Sequence, residues 1–320
     1  MKHTLSKIKV ALLRRAVDLF VRIPRIGKKS RIRASHVQYR RIHLGFSGLS
    51  DLQWVSFLFL TDPHIGWNID GMAEHISEWI HTLLGLTEPK KTFILHGGDF
   101  VSGDGVTPTD QEHFFDVAPV LFRGLETYRN FAVIGNHDEE NPDFPRIKQY
   151  LTEIQNIKFL TQPRDTQRIN IGESQICIYG IHTLADHLSR IPKIERNATL
   201  DTYIYLFNTT RAALNVVLLH NPDGMEFLLR RLRETKQTIM TPTLFLAGHT
   251  HGGGLDIPFF RKLGLMACKT RFGRYKGWYG PAKKYAHTGT WKMYVSTGMG
   301  NSPDMDIRMN ADPEVVLFTL

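Results

Sequence analysis

The sequence is short of several things, and each shortage excludes a class of protein. Among 320 residues there are two cysteines, Cys177 and Cys268. That is too few for a disulfide framework, so a reducing compartment is the simpler setting and the fold must rest on packing. No uninterrupted apolar run reaches the ~18–20 residues of a membrane-spanning helix. Arg14-Arg15 resembles a twin-arginine leader, but Asp18, Arg22 and Pro24 break the apolar stretch that should follow, and no small-residue cleavage site is evident. We therefore expect neither a transmembrane segment nor an export signal. There is no internal repeat and no low-complexity tract. With 42% apolar, 22% charged and 11% aromatic residues, the chain is not disordered, collagenous or a coiled coil. Its length allows one large domain or two ordinary ones, with residues enough for a sizeable core.

Acidic residues are scarce in one place only. Residues 1–41 carry thirteen Lys/Arg against a single acid, Asp18, whereas the remainder carries 27 bases against 30 acids, so a nearly neutral body follows a strongly basic start. Such asymmetry points to an anionic partner. Within it, Leu5, Ile8, Leu12, Ala16, Leu19, Phe20 and Ile23 recur at helical spacing, and Val10, Leu13, Val17 and Val21 widen the face, until Pro24 and Gly27 end the pattern. Lys28, Lys29, Arg31, Arg33, Arg40 and Arg41 follow. An amphipathic helix with basic flanks suits a lipid interface, each base near anionic lipid contributing about 1 kcal/mol. A helix packed on the chain's own domain would read the same way. The broad apolar face argues against nucleic acid, whose phosphates do not require one. We take residues 1–49 as a membrane-associating segment and 50–320 as the globular domain.

Beyond residue 50, apolar runs of strand length alternate with helical stretches. Strands are expected at Trp54–Thr61, Thr92–His96, Asn130–Ile134, Gln175–Ile181, Leu214–Leu219, Thr243–Ala247, Trp291–Ser296 and Val315–Leu320, and helices at Ala73–Leu86, Gln111–Leu125, Phe144–Glu153 and Pro222–Thr235. This alternation predicts an α/β fold in which two βαβ-like halves form a two-sheet sandwich covered by helices. Leu184–Thr210 reads as either a cap or a connector.

Five of these strands end in a polar cluster: Asp62-Pro63-His64, Gly97-Gly98-Asp99, Gly135-Asn136-His137-Asp138, His220, and Gly248-His249-Thr250-His251. In such sheets, sites assemble from the loops at one edge. Singly, the first two clusters and His220 are weak signals, because a histidine at a strand end is more often structural. Together, in order, with equal 37-residue steps from Asp62 to Asp99 to Asn136, they leave little room for chance. The chemistry is legible from residue types. A phosphate ester repels nucleophiles, and two divalent cations about 3.5–4 Å apart neutralise that charge and lower the pKa of a water molecule. Such a pair needs a shared carboxylate with neutral N and O donors. The absence of cysteine from the set argues against a structural zinc site.

The pattern resembles the calcineurin-like metallophosphoesterases over residues 52–320. The resemblance implies a four-layer α/β/β/α sandwich with a two-metal site at strand ends. It implies a first ion on Asp62, His64, Asp99 and His251, and a second on Asp99, Asn136, His220 and His249, with Asp99 bridging. It implies that His137 contacts the phosphoryl oxygen or protonates the leaving group, with Asp138 orienting its ring. Such donors suit Mn²⁺ first, with Fe, Zn and Co as alternatives.

The fold does not determine the ester. Phe259–Lys292 holds nine Lys/Arg and no acid, with Tyr275, Trp278, Tyr279 and Tyr285 interleaved. Arg and Lys suit phosphate and aromatic faces stack on bases, so Arg271, Arg274, Tyr275 and Lys276 are candidate substrate contacts; a solvated basic loop is the plainer reading. Phe259, Phe260, Leu263, Leu265 and Met266 suit either a lipid-facing lip or ordinary core. GHTHGG, a basic Tyr-containing loop, the YVSTGMG segment Tyr294–Gly300, Arg308 and Pro313-Glu314 resemble the YkuE- and YaeI-like branch of bacterial phosphodiesterases. Within it the chain is most similar to the UDP-2,3-diacylglucosamine pyrophosphatases of lipid A synthesis. That resemblance implies a lipid-linked nucleotide substrate, an anionic membrane partner, and a peripheral location on the inner face of a bacterial inner membrane. Another membrane or cell-envelope phosphate ester, and a non-catalytic membrane adaptor on the same fold, stay open.

Overall fold

Strands apolar on both faces must be covered on both sides, and the architecture follows from that requirement. The computed structural model describes residues 37–46, 48–66, 69–102, 108–181, 192–253, 276–281, 288–300 and 311–320. In chain order the first half runs β1 (Gln38–His43), β2 (Ser56–Leu60), α1 (Ala73–Leu84), β3 (Thr92–His96), α2 (Pro108–Leu121), β4 (Arg129–Ala132), α3 (Asn136–Glu140), α4 (Phe144–Glu153) and β5 (Ile157–Phe159). The second half runs β6 (Gln167–Ile171), β7 (Ser174–Ile181), α5 (Lys193–Thr209), β8 (Leu214–Leu219), α6 (Asp223–Thr235), β9 (Ile239–Ala247), β10 (Gly277–Tyr279) and β11 (Gly289–Val295), before β12 (Glu314–Thr319) returns to the first sheet.

Two six-stranded sheets result, ordered β1-β12-β2-β3-β4-β5 and β10-β11-β9-β8-β7-β6. β2 through β5 pair in parallel, as do β7, β8, β9 and β11. β12 is antiparallel to β2, and β1 is parallel to β12.

Side-chain alternation sorts each strand between two cores. Phe57 and Phe59 of β2, Phe93 and Leu95 of β3, and Val216 and Leu218 of β8 meet between the sheets. Leu58, Leu60 and Ile94 face outward to Ile76, Ile80, Phe114, Leu121 and Ile147 of α1, α2 and α4. Val217, Leu219 and Phe245 face outward to Leu200, Phe207, Leu228 and Leu232 of α5 and α6. The layers are therefore helix, sheet, sheet, helix, as expected. The free cysteine Cys177 is buried in this last core.

Several elements differ from expectation. β1 lies inside the stretch read as the N-terminal segment, so the sheet begins by Gln38 and not after residue 49. Its sequence, Gln-Tyr-Arg-Arg-Ile-His, is mostly exposed, and an edge strand with one covered face carries little apolar signal. Residues 193–209 form a crossover helix between β7 and β8, which settles that part of the Leu184–Thr210 question. Leu200, Tyr203, Ile204 and Phe207 make its buried stripe, while exposed Ile194 and Tyr205 on other faces blur the period. α2 ends at Leu121, and Gly124 follows with φ 76°. The N-terminal helix pattern, Arg308, most of Phe259–Lys292 and Cys268 lie outside the described residues.

Candidate metal centre

β2, β3, β4, β8 and β9 all point their C-terminal ends the same way, so the five polar clusters converge. The backbone there is unusual. Asp62, His64, Asp99, His249 and His251 all have positive φ, from 45° to 69°, and they form most of the non-glycine residues in that state among those described. Each such residue costs free energy that surrounding contacts must repay, and such residues gather at functional sites. Tight turns here let side chains four residues or fewer past a strand fold back over its end. A Cβ on Gly135 would run into the Asp99 carboxylate, so the chain can pass at that point only as glycine.

Two groups form. In one, ligand atoms of Asp62, His64 and His251 lie within 4.8 Å of one another; in the other, those of Asp99, His220 and His249 do. Asp99 joins them: its Oδ2 is 3.1 Å from His220 Nε2 and 3.7 Å from His64 Nε2. Asn136 Oδ1 is 3.1 Å from His220 Nε2, which places it in the second group. All seven expected ligands are thus brought together.

The donors fit a pair of cations. His220 Nδ1 stands 2.8 Å from Gly97 O, and His251 Nδ1 3.1 Å from Gly300 O. A carbonyl only accepts, so both Nδ1 atoms donate, and in the neutral ring Nε2 carries the lone pair. His251 Nε2 then faces His64 Nε2 at 3.1 Å, and His220 Nε2 faces His249 Nδ1 at 3.2 Å and the Asp99 carboxylate. Buried Asp99 Oδ2 receives no well-formed hydrogen bond. Electron-rich atoms aimed at one another need a positive charge between them.

In the metal-free chain, protons take that place. Burial pulls the His220 pKa down, but the Asp99 and Asp62 carboxylates outweigh it and raise it to about 10. Burial likewise pushes Asp99 up, yet His220, His137 and His64 together hold it well below the usual carboxylate range. Asp62 is raised to about 6, by burial first and then by Asp99, against the pull of His220 and Thr61. Its oxygens accept the His249 N–H at 2.9 and 3.1 Å and the Thr61 hydroxyl at 2.6 Å.

His137 sits at the rim. Its N–H donates to Asp99 Oδ1 at 2.8 Å, and its ring meets that of His64 edge-on at 5.1 Å. The expectation for Asp138 needs correction. Its carboxylate is buried and accepts the N–H groups of Gly135 at 2.9 Å and Val101 at 3.2 Å, so it braces the loop and does not orient the ring. The carboxylate beside His137 Nδ1 is that of Glu140, at 3.5 Å. One turn of helix, α3, brings position 140 under position 137, a placement the strand-end pattern alone does not show. Lys276 lines a cavity of about 320 Å³ with Arg40, Tyr294, Thr297, Asp312 and Glu314. Arg271, Arg274 and Tyr275 lie outside the described residues.

A two-sheet sandwich carrying two carboxylate–imidazole clusters on one shared aspartate defines a metal-dependent phosphoester hydrolase. The sequence comparisons agree. The Calcineurin-like phosphoesterase family matches residues 55–253, more than half of the chain, and the chain belongs to that family. It is 24% identical over 240 residues to the uncharacterized metallophosphoesterase YkuE of Bacillus subtilis, covering 74% of this chain and 71% of that protein. Among solved structures it is similar to a Staphylococcus aureus protein described provisionally as a 5′-nucleotidase, with TM-score 0.44 and 12% identity, over 82% of this chain and about half (53%) of that one. A protein of unknown function from Aquifex aeolicus matches with TM-score 0.29 and 15% identity, over 58% of this chain and 88% of that one.

Proposed function

We propose that this metallophosphoesterase cleaves the pyrophosphate of UDP-2,3-diacylglucosamine, releasing UMP and 2,3-diacylglucosamine 1-phosphate. The coarser activity is carried by one observation, the convergence of both ligand groups on Asp99. Bound divalent ions, with Mn²⁺ the first candidate, supply charge neutralisation and an acidified water. The protein's part is to hold the phosphorus against that charge, with His137 at the rim to meet a phosphoryl or leaving oxygen.

The lipid-linked substrate is supported by where the basic start of the chain enters. Gln38 pairs with Glu314, whose N–H donates to Gly298 O, and Gly298 abuts Asp62. Residue 37 therefore adjoins the metal end of the sandwich. Lys28, Lys29, Arg31 and Arg33 lie within a chain reach on the order of 30 Å of it. Beside the described Arg40 and Lys276 stand the acids Asp312 and Glu314, and Glu140 lies by His137, so attraction to anionic lipid would come mainly from residues 1–36. A peripheral site on an anionic leaflet would bring the metals to a membrane-held pyrophosphate. Among the described residues, no helix is long and apolar enough to cross a membrane.

The test is incubation of the purified chain with Mn²⁺ and UDP-2,3-diacylglucosamine, following UMP and the lipid phosphate, with Asp99→Ala as control. Release by the wild type alone supports the reading. Hydrolysis of a chromogenic phosphodiester without release from the lipid substrate would redirect it to another membrane or cell-envelope phosphate ester.

A further inference from the structure

Glu314 belongs to neither ligand group, yet it is an acid only 2% exposed. Its carboxylate is heavily used. Tyr294 Oη lies 3.0 Å from both of its oxygens, the Thr297 N–H donates to Oε1 at 3.0 Å, and Arg40 Nε stands 3.1 Å from Oε2. Its own N–H donates to Gly298 O at 3.0 Å. Hydrogen bonds to an ionised acceptor are short and directional, so they impose geometry on whatever donates them.

What they impose it on is the turn Thr297–Gly300. This turn reaches straight into the first ligand group. Met299 N–H donates to Thr61 O at 2.9 Å and Gly300 N–H to Asp62 O at 2.7 Å. Gly300 O accepts His251 Nδ1 at 3.1 Å. Gly298, at φ 73°, packs so closely that a Cβ there would sit 2.8 Å from Asp62 Cβ. A chain of direct contacts thus runs from Glu314 through Thr297 and Gly298 to Asp62, and through Gly300 to His251. The second group is reached one contact further on, where Asp62 accepts the His249 N–H at 2.9 Å, and His220 takes its backbone partner from Gly97, on β3's side of the cleft.

We propose that Glu314 is a positioning residue for the first metal site: acting through the Thr297–Gly300 turn, it sets the tautomer and direction of His251 and the seat of Asp62, and so governs ion affinity at that site more than at the other. This rests on reading the two ligand groups as a metal pair. The contrary view is that Glu314 only staples β1, β11 and β12 together.

Mn²⁺ binding separates the two. The full chain, stripped of metal, is titrated with Mn²⁺ against a chelating dye, as wild type, Glu314→Gln, Glu314→Ala and Tyr294→Phe. The expected result is two ions in the wild type and loss of about tenfold or more in affinity for one ion in Glu314→Ala, with a smaller effect on the other ion. Glu314→Gln keeps an acceptor for the Thr297 N–H and should recover part of the loss. The side-chain ¹⁵N spectrum of metal-free protein should show the His251 Nδ1–H signature weakened in step, a change that a mere staple would not produce. Should Glu314→Ala fail to fold, Glu314→Gln and Tyr294→Phe decide. Wild-type affinity for both ions in those two folded variants, with an unchanged His251 signature, overturns the proposal. Absence of Mn²⁺ binding in the wild type would instead overturn the metal reading beneath it.

Discussion

His137 shows how much a single residue's neighbours decide. Its backbone steadies the bridging Asp99, while its ring belongs to neither ligand group and lies at the rim beside Glu140. Replacing the ring should therefore cost turnover without costing metal. We expect His137→Ala to lower kcat by about a hundredfold or more, with the metal content of the purified protein unchanged in elemental analysis. Loss of metal along with activity would make the residue a ligand-site support and not a partner of substrate. Glu140→Gln, which removes only the charge beside the ring and leaves the ring in place, should lower kcat far less than His137→Ala in the same assay.

At the scale of an element, β3 carries two buried groups of opposite purpose. Asp99 follows its end and serves the centre. His96 is its last residue and serves stability. The His96 ring packs against Phe100 and Phe122, and Nε2 lies 3.3 Å from Asn130 Oδ1. Both Asn130 amide hydrogens are given to carbonyls of Leu125 and Tyr128, so Oδ1 accepts and the neutral imidazole donates. Burial pulls its pKa from 6.5 to about 4, opposed by the Asn130 bond. As pH falls below 6.5 the unfolded chain takes up this proton and the folded chain does not. The contribution is thus intact above pH 6.5 and is lost progressively towards pH 4, to about 3 kcal/mol in all. Thermal melts across that window should show His96→Gln, which keeps a donor but cannot titrate there, with a flatter pH dependence than the wild type. Parallel curves would mean that other buried groups control the acid limb.

For the whole molecule, the arrangement of charge matters more than its sum. The positive charge is concentrated in residues 1–36, with eleven Lys/Arg against one acid, and the sandwich that follows, with 29 Lys/Arg against 30 acids, is close to neutral. Val37 is buried in the core under the first sheet, and Gln38 begins the edge strand β1, so the sheet is complete from there on. A chain starting at Val37 should keep its melting temperature, its metal content and its rate on a soluble phosphodiester. It should lose binding to vesicles containing anionic lipid, measured by co-sedimentation at several salt concentrations. Vesicle binding that survives the truncation would move the lipid-contacting surface onto the sandwich itself.

The layers and the two groups of candidate ligands were legible along the chain. Apolar runs such as Leu214–Leu219 are buried on both faces wherever they are placed, and a polar cluster directly after such a run can only stand at a sheet's end. Those are short-range relations, readable along the chain. Only the tertiary structure decided which carboxylate serves His137, that Asp138 braces a loop, that β1 closes the first sheet and that Glu314 reaches the centre through a turn. These depend on which distant segments pair: Asp62 meets the His249 N–H across 187 positions, and the edge strand β1 finds β12 across the length of the chain. The polar edge sequence of β1 and the buried acid Glu314 carry no periodic signal, because their partners, and not their neighbours in sequence, give them a role.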